Sequence, residues 1–312
     1  MKETFAAIFL AIALALPARA ASFRFSGEEN GQNREMRLAL EVAALRLNKI
    51  LGINFTDTID VRIVQTQEEF DELAGAAIPE WGAGAAIPGR NLIILREPMM
   101  NRYPGNTADL LQHELAHIAL SRRAKGGHLP RFIDEGFASW FAGEWTFSQV
   151  TTIAAAQITK SLLPLRDIDD VNRFHQGQAN LAYAQSYVVV NYLFKRFGEL
   201  AFTDLVDSLA AGRNLSEAFH QTLDISFWRF EADYRKFLSD NYTLFAILSD
   251  MTGLWIILAL IVVFGWLLIR KRKKDAYDRW KDEEKFQSTD FDYSGSDDEP
   301  WKDSEEEDST RF

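Results

Sequence analysis

His113-Glu114-Leu115-Ala116-His117 has the form HExxH, a pair of histidines four residues apart with a glutamate beside the first. On a helix this spacing stacks the two imidazoles one turn apart on a single face, where both reach one metal ion. Glu114 lies next to that face, placed to take a proton from a metal-bound water. The chain has only five histidines, so the pattern stands out against its own composition. A catalytic zinc requires three protein ligands and an open position for water, and two histidines leave it one ligand short.

A third histidine six residues after His117 would complete a metzincin site, but Arg123 occupies that place and Leu120 stands where the glycine belongs. The remaining source is an acid from a following helix. Asp134-Glu135-Gly136-Phe137-Ala138 offers two adjacent carboxylates, with Glu135 eighteen residues after His117. That distance leaves room for a loop and a return onto the first helix. Either acid is a ligand candidate, and the other then suits an acceptor that orients a ligand histidine. His128 sits in a Gly-rich loop and reads as solvent- or substrate-facing. His175 and His220 have no partner at metal spacing.

These residues need elements that hold them. Asn91-Leu92-Ile93-Ile94-Leu95, between Pro88-Gly89 and Pro98, is the best strand, and it is expected at a sheet edge where an extended peptide can pair. Val61-Arg62-Ile63-Val64 is a second strand, followed by a helix at Gln67–Leu73. The Gly-, Ala- and Pro-rich stretch 74–89 reads as loop. Asn106-Thr107-Ala108-Asp109 supplies a cap and an early acid, so the helix bearing the motif starts there and ends toward Gly126-Gly127. A helix over Met36–Leu51 presents a stripe of Leu38, Val42, Leu45, Leu47 and Ile50. Further helices are expected at Pro130–Trp145, at Leu181–Phe197 stopped by Gly198, at Leu200–Ala210 and at Phe227–Leu238.

In this order the chain resembles the peptidase MA-like, or gluzincin, zinc metallopeptidases, distantly related to thermolysin. The likeness rests on the strand Ile93-Ile94-Leu95, the helix of His113 to His117, Phe132-Ile133-Asp134-Glu135-Gly136-Phe137-Ala138, Ala182-Tyr183-Ala184-Gln185-Ser186-Tyr187 and Phe197-Gly198-Glu199. It covers most of Val61 to Leu238. The resemblance implies an α+β, zincin-like fold: a small mixed sheet, an HExxH active-site helix and a helical C-terminal half. It also implies Zn²⁺ held by His113, His117 and Glu135, with Glu114 as general base in peptide-bond hydrolysis. Tyr183 is the oxyanion donor that fits the family motif, with Tyr187 as the competing residue.

The rest of the sequence bounds the setting. Met1–Ala20, with Lys2, an apolar run and Ala18-Arg19-Ala20, reads as a secretory signal peptide. The apolar run 244–269, with Trp255 and Trp266 near its ends and Arg270-Lys271-Arg272-Lys273-Lys274 after it, is expected to be a single transmembrane helix oriented by the positive-inside rule. Residues 21–243 then form one extracytoplasmic domain of a single-pass protein, in a bacterial inner or plasma membrane. Residues 270–312 make a basic patch and an acidic, disordered cytoplasmic tail that offers a docking point to a cytoplasmic partner. From Asp275 to Phe312 there are fifteen acidic and five basic residues. The absence of cysteine excludes disulfides, thiolate ligands and a cysteine nucleophile. No basic, aromatic-interleaved stripe points to nucleic acid. The expected partner is a peptide or protein substrate. The competing reading is a zincin-fold binding or scaffold protein without activity.

Overall fold

Leu92-Ile93-Ile94-Leu95 is apolar at every position, the pattern of a strand covered on both faces. The computed structural model describes residues 21–26, 31–75, 82–100, 103, 106–243 and 252–286, and there all four side chains are buried. Strand β1 is Ser22–Phe25, helix α1 Gly31–Leu51, strand β2 Thr58–Val64 and helix α2 Gln67–Ala74. Strand β3, Gly84–Ile87, leads through a 3-10 turn into β4, Leu92–Arg96. The sheet order is β1-β2-β4-β3. The first three strands are parallel, with Val61 opposite Ile93, and β3 runs antiparallel to β4, with Gly84 opposite Leu95. Ile93 and Leu95 enter the main core, while Leu92 and Ile94 meet Phe70 of α2 on the other face.

The expected strand at Asn91–Leu95 is therefore central, not an edge. The edge strand beside it is β3, within the stretch read as loop. Ala and Gly give β3 almost no strand propensity of its own, and pairing with β4 holds it extended.

After a short helix α3 (Glu97–Met100), the helices are α4 Thr107–Arg123, α5 Arg131–Ala142, α6 Phe147–Ile158, α7 Gln176–Ala210, α8 Leu215–Leu223 and α9 Phe227–Asn241, with a 3-10 stretch at Leu165–Arg173. Helix α7 is two helical pieces joined at Gly198, whose φ of 84° breaks the run where the sequence places a stop. Helix α1 corrects one expectation. Leu38, Val42 and Leu45 are exposed, and the buried face is Met36, Leu40, Ala43, Ala44, Leu47 and Leu51. Small alanines let α1 approach its neighbours closely, so size and not hydrophobicity alone selects the inner face.

The chain divides into two units, Met1–Ser249 and Asp250–Phe312. The first is mostly helical around the four-stranded mixed sheet. In the second, helix α10 spans Thr252–Phe286 and carries straight on through Arg270–Lys274 into charged sequence. This corrects the expectation of a transmembrane helix at 244–269. Among the described residues no helix is long and apolar enough to cross a membrane. The signal peptide expected at 1–20, residues 244–251 and the tail from 287 onward lie outside the described residues.

Candidate metal centre

Helix α4 carries the motif because its ends are firmly defined. The Asn106 side chain accepts from Asp109 N–H at 2.9 Å, and Asp109 accepts from Asn106 N–H at 3.1 Å, a reciprocal capping box. At the other end Arg123 donates to Asp207 of α7 at 2.7 Å and to the Leu51 carbonyl at 2.8 Å. Arg122 donates to Asn91 Oδ1 at 2.9 Å and lies over the Phe55 ring. The residue standing where a metzincin has its third histidine is thus a structural fastener.

His113 and His117 meet through Nε2, 3.1 Å apart. Glu135 Oε2, from α5, lies 3.6 Å from His113 Nε2 and 3.7 Å from His117 Nε2. Zinc bonds of about 2.0–2.1 Å at the tetrahedral angle hold neighbouring donors about 3.4 Å apart, so this triangle fits one zinc ion with a side left open. No other group of three or more histidine and carboxylate donors among the described residues meets at metal-ligand range. Asp134 takes the other role: its Oδ1 lies 2.9 Å from Nδ1 of His117, on the ring edge away from Glu135. It orients the imidazole so that Nε2 faces the centre.

The electrostatics follow from burial and crowding. Burial raises the Glu114 pKa, against the pull of the two histidines. Glu135 is also penalised by burial, but His113, His117 and Arg131 outweigh this and bring it down to about 2. For His117, burial opposes the charged ring, yet Asp134, Glu135 and Glu114 prevail and push its pKa up to about 10. This is a pocket of carboxylates that favours a cation.

Tyr183 and Tyr187 separate cleanly. Tyr183 is bonded to Arg131 and feels the charges of Glu135 and Glu114; burial, then Glu135, raise its pKa. Tyr187 instead stacks on Trp145, with centroids 4.6 Å apart and planes at 16°. The structure brings Tyr183 to Arg131, Glu135 and Glu114, while Tyr187 packs on Trp145. His128, His175 and His220 are exposed and apart from them.

The Peptidase MA superfamily model matches residues 39–240, nearly two-thirds of the chain and all of the site. The chain belongs to the Peptidase MA superfamily. Among solved structures it is similar to a mutant of an M1 zinc metallopeptidase from Deinococcus radiodurans, with 18% identity and a TM-score of 0.40 over 70% of this chain and 49% of that one. The unmutated enzyme gives 17% and 0.38, over 73% and 49%. A mutant bound to a Tyr-Ser-Ala substrate gives 17% and 0.36, over 72% and 46%. The chain spans about half the length of these enzymes. No curated protein matches it.

Three features of this superfamily member escape a reading of its sequence. Glu144, just past α5, places Oε1 2.8 Å from His113 Nδ1 but out of line for a hydrogen bond, and it accepts from the Tyr103 hydroxyl. Burial pushes its pKa up to about 8. No sequence spacing announces it. Arg131 donates to Glu135 Oε1 at 2.9 Å, and its i,i+4 spacing to Glu135 is a signal that could have been read. Gly84 of β3 lies against Glu114: a Cβ there would stand 2.6 Å from Glu114 Oε1 and 3.0 Å from Cδ. Only a residue without a side chain lets the edge strand lie this close to the Glu114 carboxylate.

Proposed function

We propose that the protein is a zinc-dependent peptidase in which His113, His117 and Glu135 hold the metal. When bound, zinc supplies Lewis acidity that polarises the scissile carbonyl and makes water acidic enough to be deprotonated near neutral pH. Glu114 takes the proton from the attacking water and passes it to the leaving amine. The Tyr183 hydroxyl donates to the oxygen on which negative charge develops. Edge strand β3 adjoins Glu114 and, among the described residues, pairs only with β4, so its open side suits an extended peptide backbone.

The observation that carries this reading is the combination of a three-donor triangle with a buried carboxylate that is not one of the donors. A purely structural zinc site is usually closed by four protein ligands, and it has no use for Glu114. The test is Glu114→Gln in the full chain, assayed on a diverse peptide library with zinc content measured alongside. The variant should keep one zinc per chain and lose cleavage by a factor of about 10² or more. Unchanged cleavage would remove the mechanism, and a wild-type protein that holds zinc yet cleaves nothing would leave a binding protein.

A further inference from the structure

Arg131 breaks a local rule. It is the first residue of α5, where the helix dipole is positive and an acid is the favoured neighbour. Its backbone is nonetheless held firmly: Pro130 precedes it, and Asp169 accepts from its N–H at 2.6 Å. The side chain reaches one turn along the helix to Glu135 Oε1, at 2.9 Å. The same guanidinium is hydrogen-bonded to the Tyr183 side chain on α7. A cation at the wrong end of a helix gains one modest i,i+4 ion pair, but its joining at once to the acidic donor and to the tyrosine is explained by the site.

The two oxygens of Glu135 are divided between partners. Oε2 faces both histidine Nε2 atoms, and Oε1 faces the guanidinium. A carboxylate free to turn can offer a metal both oxygens, which fills a coordination position that water and carbonyl need. A guanidinium on Oε1 prevents that. Because the guanidinium has only N–H donors, it binds Tyr183 through the phenolic oxygen and leaves the phenolic proton free to be donated onward.

We propose that Arg131 is a positioning residue, holding Glu135 to a single donor oxygen and fixing the Tyr183 hydroxyl relative to it. The tyrosine half rests on the peptidase reading; the carboxylate half requires only that the protein hold a metal. Arg and Lys are not equivalent here, since an ammonium lacks the planar fork that reaches two partners at fixed angles.

The test uses the full chain with Arg131→Gln, Arg131→Lys, Tyr183→Phe and the Gln/Phe double variant. In cobalt-substituted protein, Arg131→Gln should lower the intensity of the visible d–d absorption, the signature of a higher coordination number. In the zinc protein, Arg131→Gln and Tyr183→Phe should each lower kcat by about 10- to 100-fold with little change in KM. The double variant should fall no more than about threefold below the worse single one, because both act through one unit. Arg131→Lys should recover the cobalt spectrum but only part of kcat, which keeps the test informative should the Gln variant fold poorly. An unchanged cobalt spectrum in Arg131→Gln, or losses in kcat that multiply in the double variant, would overturn the proposal. A wild type that binds cobalt but cleaves no peptide would defeat the peptidase reading alone, and the spectra would still decide the role of Arg131.

Discussion

Gly84→Ala adds one methyl group where β3 meets Glu114. The new Cβ would stand 2.6 Å from Oε1, 3.0 Å from Cδ and 3.1 Å from Cγ of Glu114. Ordinary carbon–oxygen contact begins near 3.4 Å, so the carboxylate must move by about 0.8 Å. The strand is the less able to yield, because Gly84 is paired opposite Leu95, which is fully buried in the main core. A displacement approaching 1 Å of a group that must meet its proton in line costs up to about 10²-fold. The expected loss in kcat is therefore about 10- to 100-fold, or about 1.4–2.7 kcal/mol of transition-state stabilisation.

Zinc content should not change, since neither histidine is among the atoms the methyl would meet. Overpacking at one methyl costs about 1–3 kcal/mol of stability, visible as a lower Tm but not as an unfolded protein at room temperature. The assay is kcat on the best cleaved peptide, with zinc content and Tm measured on the same samples. Gly89→Ala, on the turn after β3 with nothing within 4 Å of its added methyl, is the control. A Gly84→Ala enzyme within twofold of wild type, or an equal loss in Gly89→Ala, would refute the idea that β3 sets the position of the base.

Three further outcomes follow from this structure. In the metal-free protein the His117 pKa is about 10 against an ordinary 6.5, so the ring is charged at neutral pH and a metal must displace its proton. Zinc affinity should then rise up to about tenfold per pH unit between pH 6.5 and 8.5; chelator competition measures it, and a flat profile would contradict the shift. By the same linkage, the stability that the charged His117 gives the metal-free fold is complete below pH 6.5 and fades as pH climbs through about 10. Phe137, fully buried and stacked on Phe202 at 5.3 Å, sits behind the acidic ligand in α5. Phe137→Ala should cost about 3–5 kcal/mol in urea unfolding, and a loss below about 1 kcal/mol would mean that this aromatic cluster is not holding α5.

What the sequence made legible is whatever depends on local spacing. The i,i+4 histidines, the capping box at Asn106 and the stop at Gly198 are all set within a few residues, and each stands where the pattern places it. Spacing alone left Glu135 and Asp134 both open and only the family resemblance favoured Glu135, since adjacent residues on a helix point about 100° apart and tertiary packing decides which faces the histidines. The same holds for Tyr183 and Tyr187, which share a helix face but meet Arg131 and Trp145 respectively. Strand β3 was invisible because its extended form is imposed by β4. The inner face of α1 was misread in part: Leu47 is buried as expected, but Ala43 and Ala44 join Met36, Leu40 and Leu51 against the core while Leu38, Val42 and Leu45 face out. At 244–269 composition suggested a membrane span, whereas among the described residues no helix is long and apolar enough to cross a membrane.

The glycines at 84 and 136 show why the site needs tertiary contacts that no single motif encodes. A Cβ at Gly136 would stand 2.3 Å from the Ser186 carbonyl and 2.7 Å from Val190 Cγ2, so α5 and α7 meet here backbone to backbone. Gly136 follows Glu135 directly, and Ser186 lies three residues after Tyr183. The closeness of that crossing therefore sets the distance between the acidic donor and the tyrosine, the gap that Arg131 bridges. Gly84 does the same between β3 and Glu114. Gly84 lets a strand lie against the Glu114 carboxylate, and Gly136 lets two helix backbones meet beside Glu135. The glycine of the E-G-x-A pattern is thus a packing requirement with a chemical consequence. A larger residue there would separate the helices and move Glu135 away from Tyr183 while leaving both histidines in place.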